Sequence, residues 1–402
     1  MKIAVIFDST VTGGGGFYQS LASCLYLSKL ENKSGNFYFI ANSNEVFERL
    51  KKENLNALLL KNYFLSQIFY QLSKSGFLNL FFKFFKIKNP FLYFINKNNF
   101  DLVIFLGPSL LINLVDKINF IVSIYDINFK LDNFFPEYLS NKLFLEKDEI
   151  VRKSVNQSFK IFVDTKRSKN ELIEVYNCPE NKLEIQSFIP YLPSLEKNID
   201  TIDSAKIIQK LGLENKKFIF YPAQFWAHKN HRYIIDAVYL LKKKRNINLN
   251  VVFCGSEKGT LSFVKNLIDI KGLKENFFIF DFLSEQEIFV LYKNTIALVM
   301  PTYVARSTLP LFESFFFKIP VFYSKGVLDE NIEKFVETFN LQEPESLVEK
   351  LSGFLSGKIS FKEKIKSANE FYNNNCTSAN FEKNYTKIIN EYKYFSSIWT
   401  IN

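Results

Sequence analysis

Short apolar runs alternate with amphipathic stretches along most of this chain. Runs rich in Ile, Val and Phe occur in both halves: KIAVIF, NFYFIA, DLVIFL, FIVSIY and KIFVD in the first, and KFIFY, NVVFC, FFIF and IALVM in the second. Continuous apolar runs of this kind are typical of strands that are buried on both faces of a parallel sheet. The regular alternation of strands and helices therefore predicts an α/β protein with two Rossmann-like, doubly wound domains.

The chain of 402 residues is too long for a single hydrophobic core. Prolines and polar residues between positions 190 and 204 indicate a linker, so we place the two domains at residues 1–195 and 196–379. We expect residues 380–402 to contain a further helix. Its apolar face comprises Phe381, Tyr385, Ile388, Ile389 and Tyr392.

The net charge of +10 favours an anionic partner, which could be a nucleotide sugar, an anionic lipid or a nucleic acid; a soluble basic protein with no special partner is the alternative. The basic residues are dispersed and no recognition motif accompanies them, so we expect no nucleic-acid partner. The four scattered cysteines show neither metal-binding nor disulfide spacing, which fits the reducing cytoplasm. The N-terminal sequence lacks the features of a signal peptide, and no uncharged apolar stretch is long enough to predict a transmembrane helix.

Residues 62–96 form an unusually aromatic and basic segment. One interpretation is that its helices lie in a membrane interface, with their apolar side chains in the lipid. The other is that a pair of helices packs on the sheet and on each other. Lys83 and Lys86 flank two phenylalanines, and this pattern slightly favours the membrane because long basic side chains can reach the lipid headgroups.

Two strand-to-helix loops have features of phosphate-binding sites. The sequence TVTGGGG, residues 10–16, follows the first strand, and its glycines let the backbone approach a ligand closely; a flexible turn is the alternative. Lys229 lies in the loop PAQFWAHKNH, where its cation can neutralise a diphosphate. The chain's two histidines, His228 and His231, lie in the same loop, but no Cys or carboxylate cluster joins them, so we expect no metal site.

Residues 301–324 are predicted to form the end of a strand, a polar loop, a helix and a second strand; their sequence is PTYVARSTLPLFESFFFKIPVFYS. The loop leads into a helix start near Pro310, where backbone N–H groups suit a phosphate. The sequences LPLFE at 309–313 and IPV at 319–321 resemble the signature of the retaining glycosyltransferases of family four. These enzymes have the GT-B fold, in which two Rossmann-like domains face a cleft and the final helix crosses back to the first domain. The segment PAQFWAHKNH is also similar to relatives that assemble bacterial surface polysaccharides.

The resemblance implies transfer of a sugar from a nucleotide sugar to a glycan or a lipid-linked oligosaccharide, in capsule, O-antigen or lipooligosaccharide synthesis. It implies retention of configuration, no metal and no cofactor beyond the nucleotide-sugar substrate. The chain contains no Asp-x-Asp sequence, which argues against the metal-dependent GT-A class. For relatives with lipid-linked acceptors, the resemblance implies a cytoplasmic protein with peripheral contact to the inner membrane.

The resemblance also implies site residues. Asp126, at a strand end, would hold a sugar hydroxyl, although a strand-end cap is an equal alternative; Lys229 would neutralise the leaving diphosphate, and Glu313 would accept hydrogen bonds from the ribose hydroxyls. These three are the implied catalytic residues. The implied donor-binding residues are Gly15, Gly16, Gln224, Lys229, Phe282, Leu283, Arg306, Ser307, Thr308, Leu309 and Glu313. A solvent-facing helix carboxylate is the alternative for Glu313.

The sequence departs from the family pattern at three positions. Tyr125 stands where the family has His, Gln224 stands where it has Arg, and Ala305 stands where it has the first Glu of the signature. Arg306 could replace the missing phosphate-binding Arg, because its guanidinium can contact phosphate through two N–H groups. The departures keep two alternatives open: a non-catalytic GT-B homologue that binds a partner, and a nucleotide-sugar epimerase, which the scarcity of His disfavours.

Overall fold

The structure, a computed structural model, describes residues 1–9, 13–85, 87–192, 203–305 and 308–398. The chain divides into two compact units. The N-terminal unit comprises Met1–Leu131, Ser140–Ile189 and Thr377–Asn402, and the C-terminal unit comprises Asp132–Leu139 and Pro190–Cys376. Part of the expected linker, residues 193–202, lies outside the described residues, and the domain limits at 195 and 379 remain predictions.

The N-terminal unit is built on a parallel sheet with strand order β3-β2-β1-β4-β5-β6-β7. The strands are β1 (Lys2–Phe7), β2 (Asn36–Ala41), β3 (Ala57–Leu59), β4 (Leu102–Phe105), β5 (Asn119–Ser123), β6 (Lys160–Val163) and β7 (Leu183–Ile185). The chain passes from one side of β1 to the other at β4, so the β1–β4 boundary is the topological switch point of a doubly wound sheet.

Helices connect these strands, as parallel pairing requires. They are α1 (Gly15–Ser28), α2 (Asn44–Lys52), α3 (Tyr63–Ser73), α4 (Gly76–Phe84), α5 (Pro90–Lys97), α6 (Asn128–Leu131), α7 (Asn141–Gln157) and α8 (Lys166–Tyr176), with short 3-10 helices at Leu110–Leu114 and Glu180–Lys182. None of the helices in the described part of the chain combines the length and the apolar character needed to cross a bilayer.

The C-terminal unit has a second parallel sheet with strand order β10-β9-β8-β11-β12-β13. Its strands are β8 (Phe218–Pro222), β9 (Asn250–Cys254), β10 (Phe277–Phe280), β11 (Ala297–Met300), β12 (Val321–Ser324) and β13 (Glu337–Phe339). Its helices are α9 (Ser204–Lys210), α10 (His231–Arg245), α11 (Leu261–Ile270), α12 (Glu285–Asn294), α13 (Leu309–Phe317), α14 (Glu330–Glu333), α15 (Pro344–Leu355) and α16 (Lys362–Asn375), with 3-10 helices at Pro136–Tyr138, Ala227–Lys229 and Lys274–Asn276.

The strand cores explain why the apolar runs predicted strands so well. Every residue of β4, β11 and β12 is buried, because helices cover both faces of each sheet. A capping box begins α12: the Ser284 hydroxyl accepts from the Glu287 N–H at 3.3 Å, and the Glu287 carboxylate accepts from the Ser284 N–H at 2.8 Å.

The last helix, α17 (Ser378–Ser397), belongs to the N-terminal unit. The predicted apolar face is confirmed, since all of its residues are buried. The Tyr385 ring stacks on Phe162 of β6 with a centroid distance of 4.4 Å, and the Tyr392 hydroxyl donates to the Asp101 carbonyl at 2.9 Å. Packing against strands distant in sequence therefore places the end of the chain in the unit that contains its beginning.

We predict that Tyr385→Ala lowers the free energy of unfolding by about 3–5 kcal/mol, because the substitution opens a cavity in the core. Tyr385 is fully buried and also stacks on Phe381 at 4.3 Å. Tyr394 is a matched control on the same helix, since its side chain is 68 % exposed and Tyr394→Ala should change stability by less than about 0.5 kcal/mol. Chemical denaturation followed by circular dichroism measures both variants, and equal losses would contradict the packing of α17.

Candidate functional site

The carboxyl ends of β8 and β11 are the structural basis of the candidate site. The two strands pair in parallel, with Ile219 opposite Ala297 and Phe220 opposite Leu298, so both end at the same edge of the sheet. The chain continues to β9 on one side of this pair and to β12 on the other. This boundary is the topological switch point of the C-terminal sheet, where doubly wound proteins bind their ligands.

Lys229 follows β8 at this edge. It ends the 3-10 turn Ala227–Lys229, and Asn230 then adopts a left-handed conformation with φ of 54° before α10 begins. The Tyr221 hydroxyl donates to the Lys229 carbonyl at 2.9 Å, which fixes the backbone of the turn to the end of β8. The Lys229 side chain is half-buried, and its contact with a diphosphate remains a prediction.

The loop after β11 is bonded directly to this turn. The Tyr303 N–H donates to the His228 carbonyl at 2.9 Å, and the Thr302 hydroxyl donates to the same oxygen at 3.3 Å. The Ser324 hydroxyl, at the end of β12, donates to the carbonyls of Thr302 and Met300. These bonds join the loops that follow adjacent strands into one network.

Helix α13 begins at the end of the loop after β11. Thr308 is its N-cap, with a hydroxyl that accepts from the Leu311 N–H at 3.3 Å, and Pro310 occupies the first turn. The first turn of a helix favours anions because its N–H groups and dipole point outwards. Thr308 and Leu309 therefore lie at the predicted helix start, whereas Arg306 and Ser307 lie outside the described residues.

Glu313 lies on α13, one turn into the helix, and only 8 % of the residue is exposed. The solvent-facing alternative for this residue is therefore wrong. Burial raises the pKa of the Glu313 carboxyl to about 7, and the neighbouring Tyr292 hydroxyl offsets part of that rise. A carboxyl that is buried at this cost beside a candidate ligand site is typical of a functional group.

The remaining predicted donor-binding residues of this unit follow β8 and β10. The Gln224 amide oxygen accepts from the Trp226 indole N–H at 2.9 Å. Phe282 and Leu283 lie between β10 and α12, and Phe282 is 74 % exposed whereas Leu283 is buried. All of these positions follow strand carboxyl ends of the same sheet.

Three predicted site residues belong to the N-terminal unit. Gly15 and Gly16 begin α1 after Gly14, whose φ of 86° is left-handed. A Cβ added to Gly16 would meet no atom within 4 Å, so steric crowding does not require glycine there. Asp126 is exposed, and its carboxylate accepts from the Asn128 N–H at 3.1 Å. The structure therefore shows the strand-end cap for Asp126, and its contact with a sugar remains a prediction.

Sequence analysis missed a carboxylate at the end of β1. Asp8 accepts hydrogen bonds from Asn42 at 2.9 Å, Tyr63 at 2.7 Å and Ser109 at 2.5 Å. Burial raises the Asp8 pKa, and these three donors partly offset that effect. The position of Asp8 directly after an apolar run was a usable signal, but its donors come from segments far apart in sequence.

His231 is a core residue. Its ring stacks on Phe225 with a centroid distance of 4.3 Å, and burial lowers its pKa to about 3, so the imidazole is neutral. Within the described ranges, no group of three or more His, Cys, Asp or Glu residues is arranged to hold a metal ion.

Comparison with known families adds to this geometry. Residues 203–375, nearly all of the C-terminal unit, match the family described as glycosyl transferases group 1. No curated protein matches the sequence significantly.

The whole chain resembles solved glycosyltransferase structures. A glycosyltransferase from Rickettsia africae has a TM-score of 0.66 at 17 % identity, covering 97 % of this chain and 98 % of that one. Anabaena HepE in complex with UDP-glucose has a TM-score of 0.72 at 12 % identity, covering 97 % and 100 %. WaaG, a glycosyltransferase involved in lipopolysaccharide biosynthesis, has a TM-score of 0.69 at 13 % identity, covering 96 % and 99 %.

A UDP-GlcNAc 2-epimerase from Neisseria meningitidis also shares the fold, with a TM-score of 0.60 at 15 % identity, covering 97 % of this chain and 100 % of that one. At such identities the likeness shows the fold alone. The prediction of two Rossmann-like α/β domains of the GT-B type is confirmed. The family match and the fold together support a glycosyltransferase.

We predict that Glu313→Gln stabilises the nucleotide-free protein at pH 8 and has little effect at pH 5. The folded-state pKa of about 7 lies above the ordinary value of 4.5, so the folded protein holds a proton that the unfolded chain has lost between these pH values. Stability therefore falls as pH rises through this range, by about 3 kcal/mol in total, and a neutral amide avoids the loss.

Denaturant unfolding at both pH values measures this effect. Glu349→Gln, at an exposed position on α15, is the control and should show no such pH dependence. A Glu313→Gln variant that is equally destabilised at pH 5 and pH 8 would contradict a raised Glu313 pKa.

Proposed function

We propose that the protein transfers a sugar from a nucleotide-sugar donor to a hydroxyl of a glycan or lipid-linked glycan, without a metal ion and with retention of configuration. The observation that carries the proposal is the placement of the Lys229 turn and the α13 N-terminus after adjacent, paired strands. The match of residues 203–375 to glycosyl transferases group 1 supports it, as does the likeness to HepE, whose structure contains UDP-glucose.

The proposed chemistry concerns the leaving group. When the glycosidic bond to the nucleotide breaks, negative charge grows on the diphosphate oxygens. The Lys229 ammonium and the amides of Thr308 and Leu309 stabilise that charge in place of a metal. Gly15, Gly16, Arg306 and Ser307 complete the phosphate-binding set by sequence position.

Other residues hold the rest of the donor and the acceptor in this proposal. Glu313 accepts hydrogen bonds from the ribose hydroxyls, and the backbone of Phe282 and Leu283 binds the nucleobase. Gln224 contacts the phosphates from the position of the family's arginine. Asp126 holds a sugar hydroxyl. Because the ionised carboxylate is the better acceptor, nucleotide affinity should rise as pH rises through the Glu313 pKa of about 7.

We further propose that the acceptor belongs to capsule, O-antigen or lipooligosaccharide synthesis and that the protein works in the cytoplasm at the inner membrane. The likeness to WaaG supports the pathway. The surface of α3, α4 and the following turn supports the membrane contact, because its apolar side chains are exposed by 38–80 %. They are Phe64, Leu65, Ile68, Leu72, Phe77, Leu80, Phe81, Phe84, Phe85 and Ile87.

The opposite side of this segment packs against the protein. Tyr70 of α3 is buried, and its hydroxyl donates to Glu149 of α7 at 2.5 Å. One side of the segment therefore packs against the N-terminal unit, and the other side presents the apolar surface that supports the proposed membrane contact. The exposed Lys88 follows that surface in the chain, and the net charge of +10 suits an anionic lipid.

A non-catalytic role as a binding protein is the second candidate. The family departures favour it: the Tyr125 hydroxyl donates to the Leu106 carbonyl at 2.6 Å, the Gln224 oxygen is bonded to Trp226, and Ala305 has no carboxylate to offer. Hydrolysis or transfer of any nucleotide sugar by the purified protein would exclude this candidate.

We predict that Lys229→Ala weakens nucleotide binding by about tenfold or more, because a charge-assisted contact to the diphosphate is lost. A thermal-shift screen with UDP-, GDP-, dTDP- and ADP-sugars measures it. A donor at about a thousandfold excess over its dissociation constant should stabilise the wild type by about 4 kcal/mol. Lys265→Ala, at an exposed position on α11, is the control. Equal stabilisation of wild type and Lys229→Ala would contradict the phosphate role.

We predict that replacing Phe77 and Phe84 together by Ser weakens binding to vesicles of phosphatidylethanolamine and phosphatidylglycerol by at least about tenfold, because each ring buries apolar area in the lipid. The two side chains are 78 % and 80 % exposed. Phe263→Ser, which changes a 50 % exposed ring on α11, should leave vesicle binding unchanged. Co-sedimentation compares the three proteins, and equal binding by all would count against the membrane contact.

A further inference from the structure

A glutamate from a distant part of the chain is bonded to the residue beside Lys229. Glu137 lies in the segment 132–139, which belongs to the C-terminal unit although the flanking sequence on both sides does not. One oxygen of its carboxylate accepts from the His228 backbone N–H at 3.2 Å and also contacts Nδ1 of the His228 ring. The two side chains are only 6 % and 10 % exposed.

Aromatic rings from the same segment enclose the His228 imidazole. The Tyr138 ring lies nearly parallel to it, with a centroid distance of 6.0 Å and an angle of 15°. The Phe135 ring lies 6.0 Å away, edge to face, and also packs at 5.6 Å from the Tyr303 ring. A side chain packed on several sides has few rotamers available, so the His228 position is closely defined.

His228 joins three segments of the C-terminal unit. Its N–H and ring are held by Glu137, and its carbonyl accepts from Tyr303 and Thr302 in the loop that leads to α13. Lys229 is the next residue along the chain. The contacts of His228 therefore hold the Lys229 turn against residues 302–303.

We propose that Glu137 is a positioning residue, which acts through His228 to hold the Lys229 turn and the 302–305 loop in the arrangement that binds the diphosphate of a nucleotide sugar. This inference rests on the proposed function. A long lysine side chain loses substantial rotamer entropy when it is ordered, so a backbone that is already fixed lowers the cost of binding. Groups that stabilise developing charge must also be held to within about 0.5 Å.

The place where these bonds converge distinguishes a positioning role from a general contribution to stability. Glu137 bonds to the backbone and the ring of one residue, and that residue's carbonyl bonds to the second candidate phosphate-binding loop. Removing the carboxylate leaves two donors of a buried residue without their acceptor. We expect the loss to loosen both loops and leave the strand cores intact.

The test compares Glu137→Ala, Glu137→Gln, His228→Ala and His228→Asn for binding of UDP, GDP, dTDP and ADP by calorimetry. Both alanine variants should weaken binding by about tenfold or more. Gln keeps an acceptor oxygen, and Asn keeps a side-chain N–H close to the position of Nδ1, so these two should stay within about threefold of wild type. The Glu137→Ala/His228→Ala double variant should bind no more weakly than either single variant, because both remove the same linkage.

Hydrogen exchange in the nucleotide-free proteins provides a readout that needs no ligand. Glu137→Ala should speed exchange at Lys229 and Tyr303, whose N–H groups bond within and to the turn, and leave β9 unchanged. Glu345→Ala, which removes a half-exposed partner of Lys244, is the matched control and should change neither exchange nor binding.

Wild-type binding and unchanged exchange in a folded Glu137→Ala variant would overturn the proposal, and so would losses that add in the double variant. If Glu137→Ala does not fold, the His228 variants, which leave Glu137 in place, test the proposal instead. Binding by His228→Asn that is as weak as binding by His228→Ala would overturn the proposal. Wild-type protein that binds none of the four diphosphates would contradict the proposed function itself. In that case, faster hydrogen exchange in Glu137→Ala would still show that Glu137 holds the Lys229 turn, but its proposed role in nucleotide binding would be wrong.

Discussion

The parallel pairing of β8 with β11 is the constraint on which the candidate site depends. Parallel strands that are adjacent in the sheet but not in sequence send their following loops to one edge, and the chain departs from each in opposite directions. The Lys229 turn follows β8 and the N-terminus of α13 follows β11, so both lie at this edge of the sheet. A diphosphate bound at this edge would contact a cation and backbone amides whose positions are already fixed by the folded sheet. These groups would therefore reorganise little as negative charge develops on the diphosphate during the reaction.

The buried carboxyls show what this arrangement costs in stability. Burial raises the pKa values of Glu313 and Asp8, which means that their ionised forms are disfavoured in the folded protein. Three hydrogen-bond donors offset part of the effect of burial on Asp8, whereas, among the described residues, Tyr292 is the one side chain that offsets part of it for Glu313. Proteins commonly give up stability at functional sites. The larger number of donors to Asp8 favours a structural role for that residue. The smaller number at Glu313 favours a role in which a bound ligand supplies the remaining hydrogen-bond donors.

Sequence patterns predicted the long buried strands and amphipathic helices well, because burial on both faces leaves a continuous apolar run. They missed β3 and β13, which have only three residues each at sheet edges, and they missed α7, whose buried residues lie only in its second half. Local motifs also predicted the strand-to-helix loop that contains Lys229 and the helix start beside Thr308 and Leu309, and the structure has both. Glu137 and His228 are 91 residues apart in sequence. Their contact produces no periodic pattern in the sequence, so it could be identified only from the three-dimensional structure.

A structure of the protein with a bound nucleoside diphosphate would decide whether this edge of the sheet is the donor site. We expect the diphosphate oxygens at the carboxyl ends of β8 and β11, within hydrogen-bonding distance of the Lys229 ammonium, about 3 Å, and of amides in the first turn of α13. The Glu313 carboxylate should accept from the ribose hydroxyls. A diphosphate bound at another edge of the sheet, or one that contacts neither Lys229 nor α13, would show that the donor site lies elsewhere.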